Sequence, residues 1–332
     1  MPPLLSLLLP QSSLRTFSSS ISSLHKIGRT LFLEATPTHL TLRTLNDTKS
    51  SFMRIEFGSD FFLELMPGEL DGGQKKKRKV EEEEEEEEKE EEEEEEEEKE
   101  SFVCQIPSKT VHSVLRHVRL NVLTLRITSS TSPTGTTPDS DSDSDNDDNK
   151  EPTHLILSYK THSGTTLTHS LSMIPSPLTT VYAPINDCSL TSIPSKVLRD
   201  LLEHMKKVVE VEVTFEEKRV RFESFEGGGK GFIGSSKASI DASELTQNNF
   251  KTDRTLGPHL PPTINTHSTL VFSLRELRSL LLFSSQNCGD ENVNVECFYE
   301  WGGKPATFRI DGEGFRGELI TATMDWKANV KK

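Results

Sequence analysis

The chain has 332 residues, and its 53 acidic and 38 basic side chains give a net charge of −15. Two short segments carry more than this whole charge. The run from Glu81 to Glu100 holds 18 Glu and 2 Lys, and residues 129–152 hold six Asp, one Glu and one Lys. The rest of the chain is therefore basic, which excludes a uniformly acidic surface. The longest apolar stretch, residues 4–9, is far shorter than the ~20 residues of a membrane-spanning helix, so no membrane association is predicted.

The first thirty residues allow two interpretations. They are rich in Ser and Leu and contain no acid, which is also typical of a mitochondrial transit peptide. An amphipathic pattern begins within them at Phe17, however, and a stronger targeting signal follows later in the chain. Five consecutive cations, which nuclear import receptors bind, stand at Lys75, Lys76, Lys77, Arg78 and Lys79. We expect import into the nucleus, although these cations could also simply balance the glutamates beside them.

Neither acidic segment contains an apolar residue, so we expect both to be solvated insertions outside any core. The Asp-rich segment lacks the Gly and Glu that a calcium-binding loop needs at its sixth and twelfth positions, so no metal site is predicted. Ser140, Ser142 and Ser144 each have an acid three residues later, a pattern typical of acid-directed kinases. Phosphorylation there is one hypothesis, and an inert spacer is the other.

Four segments of the chain share one pattern, in which fourteen of the sixteen positions at 0, +3, +4 and +7 from an anchor are apolar. This spacing predicts an amphipathic helix that buries one face. The sixteen positions are Phe17, Ser20, Ile21 and Leu24; Val111, Val114, Leu115 and Val118; Leu198, Leu201, Leu202 and Met205; and Leu277, Leu280, Leu281 and Ser284. The second and third copies are both preceded by Ile-Pro-Ser-Lys, which supports an internal repeat.

Short strands with alternating apolar residues follow each predicted helix. Their inward residues are Leu31/Leu33, Leu40/Leu42, Met53/Ile55/Phe57, Leu123/Leu125/Ile127, Leu155/Leu157/Tyr159, Val209/Val211/Val213/Phe215, Val220/Phe222, Val293/Val295/Cys297 and Phe308/Ile310. A unit of one helix and several antiparallel strands is thus used four times. We predict an α+β protein of two similar domains, 1–174 and 187–326, joined by a Pro-rich connector at 175–186. Insertions fall at about 66–101 and 129–152, and 327–332 form a short tail.

A cation stands two residues before every helix anchor: Arg15, Lys109, Lys196 and Arg275. Further cations on or near the same polar faces are Arg116, Arg119, Arg199, Lys206, Lys207 and Arg278. One basic residue at such a position is normally only a solvated side chain, but four at an equivalent position are harder to explain in that way. If the helices lie side by side, the cations form a row suited to sequence-independent contact with the phosphates of double-stranded DNA.

Catalysis finds little support in the sequence. Gly227-Gly228-Gly229-Lys230 is followed by Gly231, where a phosphate-binding loop requires Ser or Thr. The ten histidines form no HExxH or other metal-ligand spacing, and no GxSxG motif is present. The four cysteines are widely spaced, which favours free thiols over a disulfide framework or a zinc ribbon. We therefore predict a protein with no catalytic residues, no metal and no cofactor.

The repeat resembles the sliding-clamp fold of proliferating cell nuclear antigen. Particular segments are similar to the Rad-nine (Rad9) subunit family of the nine-one-one DNA-damage checkpoint clamp. They are Lys26-Ile27-Gly28, residues 40–46, Phe61-Phe62, Cys104, residues 168–172, residues 272–281 and residues 317–323. The resemblance covers about 14–65 and 102–326, without the two acidic insertions.

This resemblance implies a non-enzymatic ring subunit that assembles with Rad-one and Hus-one type subunits. A dedicated clamp loader would place the ring around DNA at damage sites, where it would support repair and activate checkpoint kinase signalling. Arg15, Lys109, Lys196 and Arg275 would face the lumen. Members of the family carry a long phosphorylated tail that recruits the checkpoint activator, whereas only 327–332 follow Trp326 here. The Asp-rich segment is a candidate for that role.

Two alternatives stay open at this point. An acidic nuclear chaperone or histone-binding protein would use the glutamate run next to the import signal, but would have no use for a cation repeated on four helices. A homotrimeric clamp would share the fold and differ only in its partners.

Overall fold

The computed structural model describes residues 5–36, 38–67, 102–116, 120–129, 153–161, 164–176, 181, 188–225, 236–249, 267–287 and 293–324. Within these ranges the helices are α1 (Gln11–Ile27), α2 (Ser108–Leu115), α3 (Ser195–His204) and α4 (Leu274–Asn287). The import cluster (75–79), the glutamate run, Ser140, Ser142, Ser144, Val118 and Arg119 lie outside the described residues. No described helix is both long and apolar enough to span a membrane.

The strands fall into four successive groups along the chain. The first group is β1 (Leu5–Leu9), β2 (Thr30–Ala35), β3 (His39–Leu45), β4 (Ser51–Gly58) and β5 (Glu64–Pro67). The second is β6 (Phe102–Pro107), β7 (Leu120–Ser129), β8 (Thr153–Thr161) and β9 (Thr166–Pro175). The third is β10 (Ser189–Pro194), β11 (Glu210–Glu216), β12 (Arg219–Ser224), β13 (Lys237–Asp241) and β14 (Gln247–Asn249). The fourth is β15 (His267–Ser273), β16 (Asn294–Tyr299), β17 (Ala306–Gly312) and β18 (Phe315–Thr321).

Each group is one copy of the predicted repeat, with a strand, a helix and then three or four further strands. The unit of one helix plus antiparallel strands, used four times, is therefore confirmed. The sequence did not reveal that a strand also precedes every helix. Below, the first and second units are called the first half of the molecule, and the third and fourth units the second half.

Units within a half exchange their first strands. In the first half, β1 pairs with β7 of the second unit while β6 pairs with β2 of the first. In the second half, β10 pairs with β16 and β15 pairs with β11. Each helix therefore follows a strand held by the other unit of its half, which fixes the two helices of that half relative to each other.

The two halves are joined by an antiparallel pairing between β4 and β18, with partners from Ser51↔Thr321 to Phe57↔Phe315. This pairing merges the sheets of both halves into one sheet of fourteen strands, next to a separate sheet of four. On one face of the joint Met53, Ile55 and Leu319 are buried. On the other face Arg54 forms an ion pair with the buried Glu318 at 2.6 Å.

The predicted helix stripes are buried. Of the positions that the structure describes, all except Val114 are at most 8% exposed, and Val114 packs against the core. The two polar members of the pattern, Ser20 and Ser284, are also buried, at 0% and 1% exposure. Ser20 Oγ donates to the carbonyl of Phe17 at 2.7 Å, and Ser284 Oγ lies 3.0 Å from Ser195 Oγ. Because each hydroxyl is hydrogen-bonded, a small polar side chain is tolerated at a core position.

The repeated Ile-Pro-Ser-Lys motif marks the transition from strand to helix. Its Ser begins the helix and is buried in both copies, as Ser108 and Ser195. The Ser108 N–H donates to the carbonyl of Arg29, just before β2, and the Ser195 N–H donates to Val293, just before β16, both at 2.8 Å. The motif thus anchors each helix start to the partner unit, while its Lys stays exposed.

Two strand predictions need correction. Val209 was predicted to face the core, but β11 begins at Glu210 and Val209 is 71% exposed in the preceding turn, where its carbonyl accepts the Leu274 N–H at 2.9 Å. Val293 also precedes its strand, β16, but it does pack partly buried against the core as predicted. In both cases the apolar alternation extends one residue before the first residue of the strand.

The segment that could be read as part of a transit peptide includes strand β1. β1 lies between β5 and β7, and Leu5, Leu7 and Leu9 have no exposed surface. Cleavage after this segment would leave β5 and β7 without their common neighbour.

We predict that Leu7→Ala lowers the free energy of unfolding by about 2–5 kcal/mol, because it opens a cavity in the core beneath β1. Leu8→Ala, on the other face of the same strand, should cost about 1 kcal/mol or less. Denaturant unfolding of both variants measures the difference. Equal effects would show that β1 does not contribute its inward face to the core.

Candidate nucleic-acid interface

The four helices lie side by side in the order α2, α1, α4, α3. The His25 ring of α1 stacks on His112 of α2, with centroids 4.8 Å apart. Between α1 and α4, Asn287 Nδ2 donates to Ser19 Oγ at 2.7 Å. The Ser195–Ser284 contact described above joins α3 to α4. The side-by-side row expected from the sequence is thus formed by direct contacts.

Neighbouring helices in the row run antiparallel. The last turn of α1 meets the first turn of α4, where Arg275 donates to the carbonyl of Lys26 at 2.8 Å. The middle of α1 lies near the end of α4, through Ser19 and Asn287. The start of α3 lies near the end of α4 in the same way, through Ser195 and Ser284. Because neighbouring helices run in opposite directions, the cations near their starts lie alternately on the two sides of the row of helices.

The four cations at the equivalent position before each anchor, Arg15, Lys109, Lys196 and Arg275, are all exposed. Each lies within the first two turns of its helix. Arg116, Lys206 and Lys207 are also exposed. The structure therefore places these seven side chains on the solvent side of the helices.

Acidic neighbours accompany the cations of α3. Arg199 Nε lies 3.9 Å from a carboxylate oxygen of Asp200, and Lys206 Nζ lies 3.9 Å from Glu203. Both distances are long for ion pairs, and pairs at such exposed positions contribute little to stability. Their main effect is to lower the positive potential over this helix.

Two predicted DNA-facing arginines bond to protein carbonyls. Arg278 donates to the carbonyls of Met205 at 2.6 Å and Val208 at 3.1 Å, just beyond the end of α3. Arg275 donates to Lys26 in the last turn of α1. Carbonyls at helix ends lack intrahelical donors, so α4 supplies donors to both of its neighbours. Partial burial lowers the pKa of Arg278, but the group stays charged at neutral pH.

One exposed cation escaped the sequence pattern. Lys26, in the last turn of α1, is exposed at the joint between α1 and α4. A Lys in a final helical turn followed by Gly28 is a recognisable helix-end signal. Gly28 itself is required there, because a Cβ would lie 2.2 Å from Thr44 Oγ1 and 2.3 Å from the carbonyl oxygen of Leu45.

The start of α4 is held by a polar cluster that also crosses between the halves. Ser273 Oγ donates to Glu276 Oε2 at 2.6 Å, which links the residue before the helix to its first turn. Glu276 is 4% exposed, and its other oxygen accepts from Asn46 Nδ2 at 3.3 Å. Asn46 in turn accepts the N–H groups of Ser50 and Ser51. A turn of the first half therefore fixes the helix that carries Arg275 and Arg278.

Metal binding would need a cluster of ligating side chains, and nucleophilic catalysis by cysteine would need a reactive thiol. The described residues contain no cluster of three metal-ligating side chains. Cys104 and Cys297 are buried thiols outside any disulfide. Burial raises the pKa of Cys104 to about 12 and also raises that of Cys297. At neutral pH these two thiols are protonated and weakly nucleophilic.

A row of helices backed by antiparallel sheets is the architecture of a sliding clamp. The proliferating cell nuclear antigen of Entamoeba histolytica has a TM-score of 0.60 at 11% identity, over 97% of this chain and 100% of that one. That of Thermococcus kodakaraensis has a TM-score of 0.61 at 11% identity, over 96% and 99% of the two chains. The PCNA2-PCNA3 complex of Sulfolobus tokodaii gives 0.60 at 11% identity, over 96% and 98%. These likenesses show the sliding-clamp fold.

Sequence similarity narrows the class to a family. Residues 17–324 match the Rad9 family, so the chain belongs to the Rad9 family and the resemblance drawn from its motifs is confirmed. No curated protein shows significant similarity to the chain.

We predict that Arg278→Ala destabilises the protein by about 1.5–3 kcal/mol, because it removes a charged donor from two carbonyls at the end of α3. Arg275→Ala removes one exposed hydrogen bond and should cost about 1 kcal/mol or less. Urea unfolding of the two variants compares them directly. A smaller loss for Arg278→Ala than for Arg275→Ala would contradict a capping role for Arg278.

Proposed function

We propose that this protein is a non-catalytic subunit of a heterotrimeric checkpoint clamp, loaded around DNA at damage sites, where it supports repair and checkpoint kinase activation. The observation that carries the proposal is the row of four contacting helices, each with an exposed cation at the equivalent position. A row of this kind suits the lumen of a ring, where phosphates of any sequence pass. Membership of the Rad9 family supports the checkpoint setting.

The proposed lumenal set has seven exposed members: Arg15, Lys109, Arg116, Lys196, Lys206, Lys207 and Arg275. Arg119 and Arg199 complete it. Arg278 contributes positive potential from its bonded position at the end of α3. Among the described residues the row carries long cationic side chains without exposed aromatic rings, a composition that suits contact with phosphates. We therefore propose binding that depends on charge and ring closure and is indifferent to DNA sequence.

Two strand edges support assembly into a ring. β13 has only β12 as a neighbour among the described strands, whereas β9 pairs with β8 from Thr166 to Met173 and with β6 only at Ile174 and Pro175, so most of its second edge is open. β13 occupies the position in the third unit that β4 has in the first, and β9 ends the second unit as β18 ends the fourth. Since β4 pairs with β18 inside the chain, we propose that β13 and β9 pair in the same way with Rad-one and Hus-one type subunits. Unpaired edges are natural templates for another chain.

The division into two domains belongs to the same proposal. β9 ends at Pro175 and β10 begins at Ser189, so the connector at 175–186 falls between the two halves. In a clamp it would pass beside the groove that receives partner peptides. The clamp loader, the checkpoint kinase activators and a nuclear location guided by Lys75–Lys79 follow from the family and the import motif. Phosphorylation of Ser140, Ser142 and Ser144 is the proposed substitute for a regulatory tail.

Ring topology gives a first test. Bound to closed circular DNA, the assembled ring should resist salt that removes ordinary electrostatic binders, and linearising the DNA should release it. Lys109→Glu with Lys196→Glu should lower the amount of ring loaded on DNA about tenfold, because both reversals face the phosphates. Lys160→Glu with Lys218→Glu, on strand and turn positions, makes the same change in charge and should leave loading unaltered. If the assembly stayed bound after the DNA was linearised, the proposal of a ring around DNA would be refuted.

Deletion of residues 81–100 separates the clamp from the acidic chaperone. A clamp lacking the glutamate run should still co-purify with two other subunits in equal amounts, measured by mass identification of the complex. A histone-binding chaperone would lose its binding activity with the run. Co-purification of a ring containing this chain alone would instead favour the homotrimeric clamp.

A further inference from the structure

The open edges of β13 and β9 can be compared with a strand pairing that the chain already contains. In the joint between β4 and β18, Arg54 lies opposite Glu318 on the face away from the core, with 2.6 Å between Nε and a carboxylate oxygen. Opposite charges on cross-strand neighbours stabilise a pairing, and like charges weaken it. The charge at the position of Arg54 on an open edge therefore indicates the charge that its partner strand should carry.

Lys237 of β13 holds the position that Arg54 holds in β4. In both units, the strand after the helix begins opposite the residue that precedes the other helix of that half. From there, two residues along the strand and then straight across the next two strands lead to Arg54 in the first unit and to Lys237 in the third. The Lys237 side chain is 63% exposed, and its Nζ lies 3.0 Å from a carboxylate oxygen of Glu223 on β12. An acid on the open side of Lys237 would therefore continue an alternating row of charges across the strands.

The face of β13 that points away from the core carries a cation, a neutral residue and an anion in turn. These are Lys237, Ser239 and Asp241, and all three are exposed. No ion pair between described residues includes Asp241. An antiparallel partner strand would place its residues i, i+2 and i+4 opposite Asp241, Ser239 and Lys237. A complementary strand therefore carries a basic residue at the first of these positions and an acidic one at the third.

The chain's own second edge does not carry this pattern. The same count across the strands, from the proline immediately before α1 and before α3, makes Thr168 of β9 the equivalent of Glu318. A glycine with positive φ stands four residues earlier in both cases, at Gly164 and Gly314, which supports the alignment. β9 contains no Asp, Glu, Lys or Arg. In a second copy of the chain, β9 would thus bring a threonine hydroxyl to Lys237 instead of a carboxylate.

The apolar face of the edge does not make this distinction. Ala238 of β13 is the equivalent of Ile55, which lies opposite Gly317 in the joint. The equivalent of Gly317 in β9 is Leu167, whose side chain is 42% exposed. A large residue opposite a small one fills the space between two strands in either order. A second copy would therefore fit β13 in shape, so the difference between partners lies in the charges.

We propose that the edge of β13 selects a partner strand with an acidic side chain opposite Lys237 and a basic one opposite Asp241, and so prefers a different chain to a second copy of this one. This inference rests on the proposed clamp function, which provides the ring in which the edge is used. Exposed ion pairs contribute little, but strand closure removes them from water, as the 5% exposure of Glu318 in the joint illustrates. Charge complementarity at such a joint fixes the register and disfavours wrong partners.

The purified full chain tests this charge preference without any partner. Thr168→Glu supplies the acid that β9 lacks, so it should tighten self-association about tenfold relative to Thr168→Gln, which has the same length and no charge. Adding Lys237→Glu to Thr168→Glu should remove the gain, because two carboxylates would then face each other. Sedimentation equilibrium at low salt measures the dissociation constants. Equal self-association of the Thr168→Glu and Thr168→Gln variants, or none by either, would overturn the proposal.

The Rad-one and Hus-one type subunits, each purified and added alone to the full chain, test the partner. Lys237→Glu and Asp241→Lys should each weaken binding of the same one of these subunits about tenfold, and leave binding of the other, which pairs with β9, unchanged. Lys304→Glu, in the turn between β16 and β17, changes the charge away from both edges and should leave both affinities unchanged. Unchanged affinities in the Lys237→Glu variant would overturn the proposal. If neither subunit bound the wild-type chain, the proposed clamp function would be refuted, whereas the self-association measurement would still decide the preference of the edge.

Discussion

The pairing of β4 with β18 is the constraint on which the rest of the molecule depends. Its partners run from Ser51↔Thr321 to Phe57↔Phe315 and turn two separate sheets into one. On the buried face the two strands share an apolar core, and on the other face Glu318 receives Arg54 and Arg309. Removing either arginine would leave this buried carboxylate only partly compensated, so the charged and apolar sides of the joint favour the same register. That register sets α1 beside α4 and so determines the centre of the helix row.

Exchange of the first strands between units fixes the helices farther from the joint between β4 and β18. Because β1 and β6 each belong to the sheet of the partner unit, neither helix of the first half can shift without disturbing both units. The same holds for α3 and α4 through β10 and β15. Since strand pairing already fixes the positions of the helices, the contacts between helices can be made by small polar side chains. Ser19, Ser195 and Ser284 make close hydrogen bonds at places where large apolar side chains would separate the helices.

The repeat could be predicted from the sequence because burial imposes a period on each helix and strand separately. Phe17, Val111, Leu198 and Leu277 mark helices whose inward faces are apolar whatever their neighbours are. The strand before each helix was missed for a related reason. Residues 4–9 are almost continuously apolar, without the alternation that identifies a half-buried strand, and resemble the start of a leader. Helix order and the bonding of Arg278 to α3 depend on contacts between distant residues, which no local pattern encodes.

Because local sequence does not encode contacts between distant residues, the described cations that share one position in the repeat pattern differ in their surroundings. An arginine on a helix surface can donate to the carbonyls of a neighbouring helix end, or it can point into solvent. The local sequence pattern of the helix is the same in both cases. Arg275 and Arg278 start a helix that lies between two helix ends, so donors are in demand there. Arg15 and Arg116 belong to helices without acids and line an open cleft, where both guanidinium groups face solvent. Antiparallel packing of equivalent helices thus assigns different tasks to equivalent residues, since each repeat has different neighbours on its two sides.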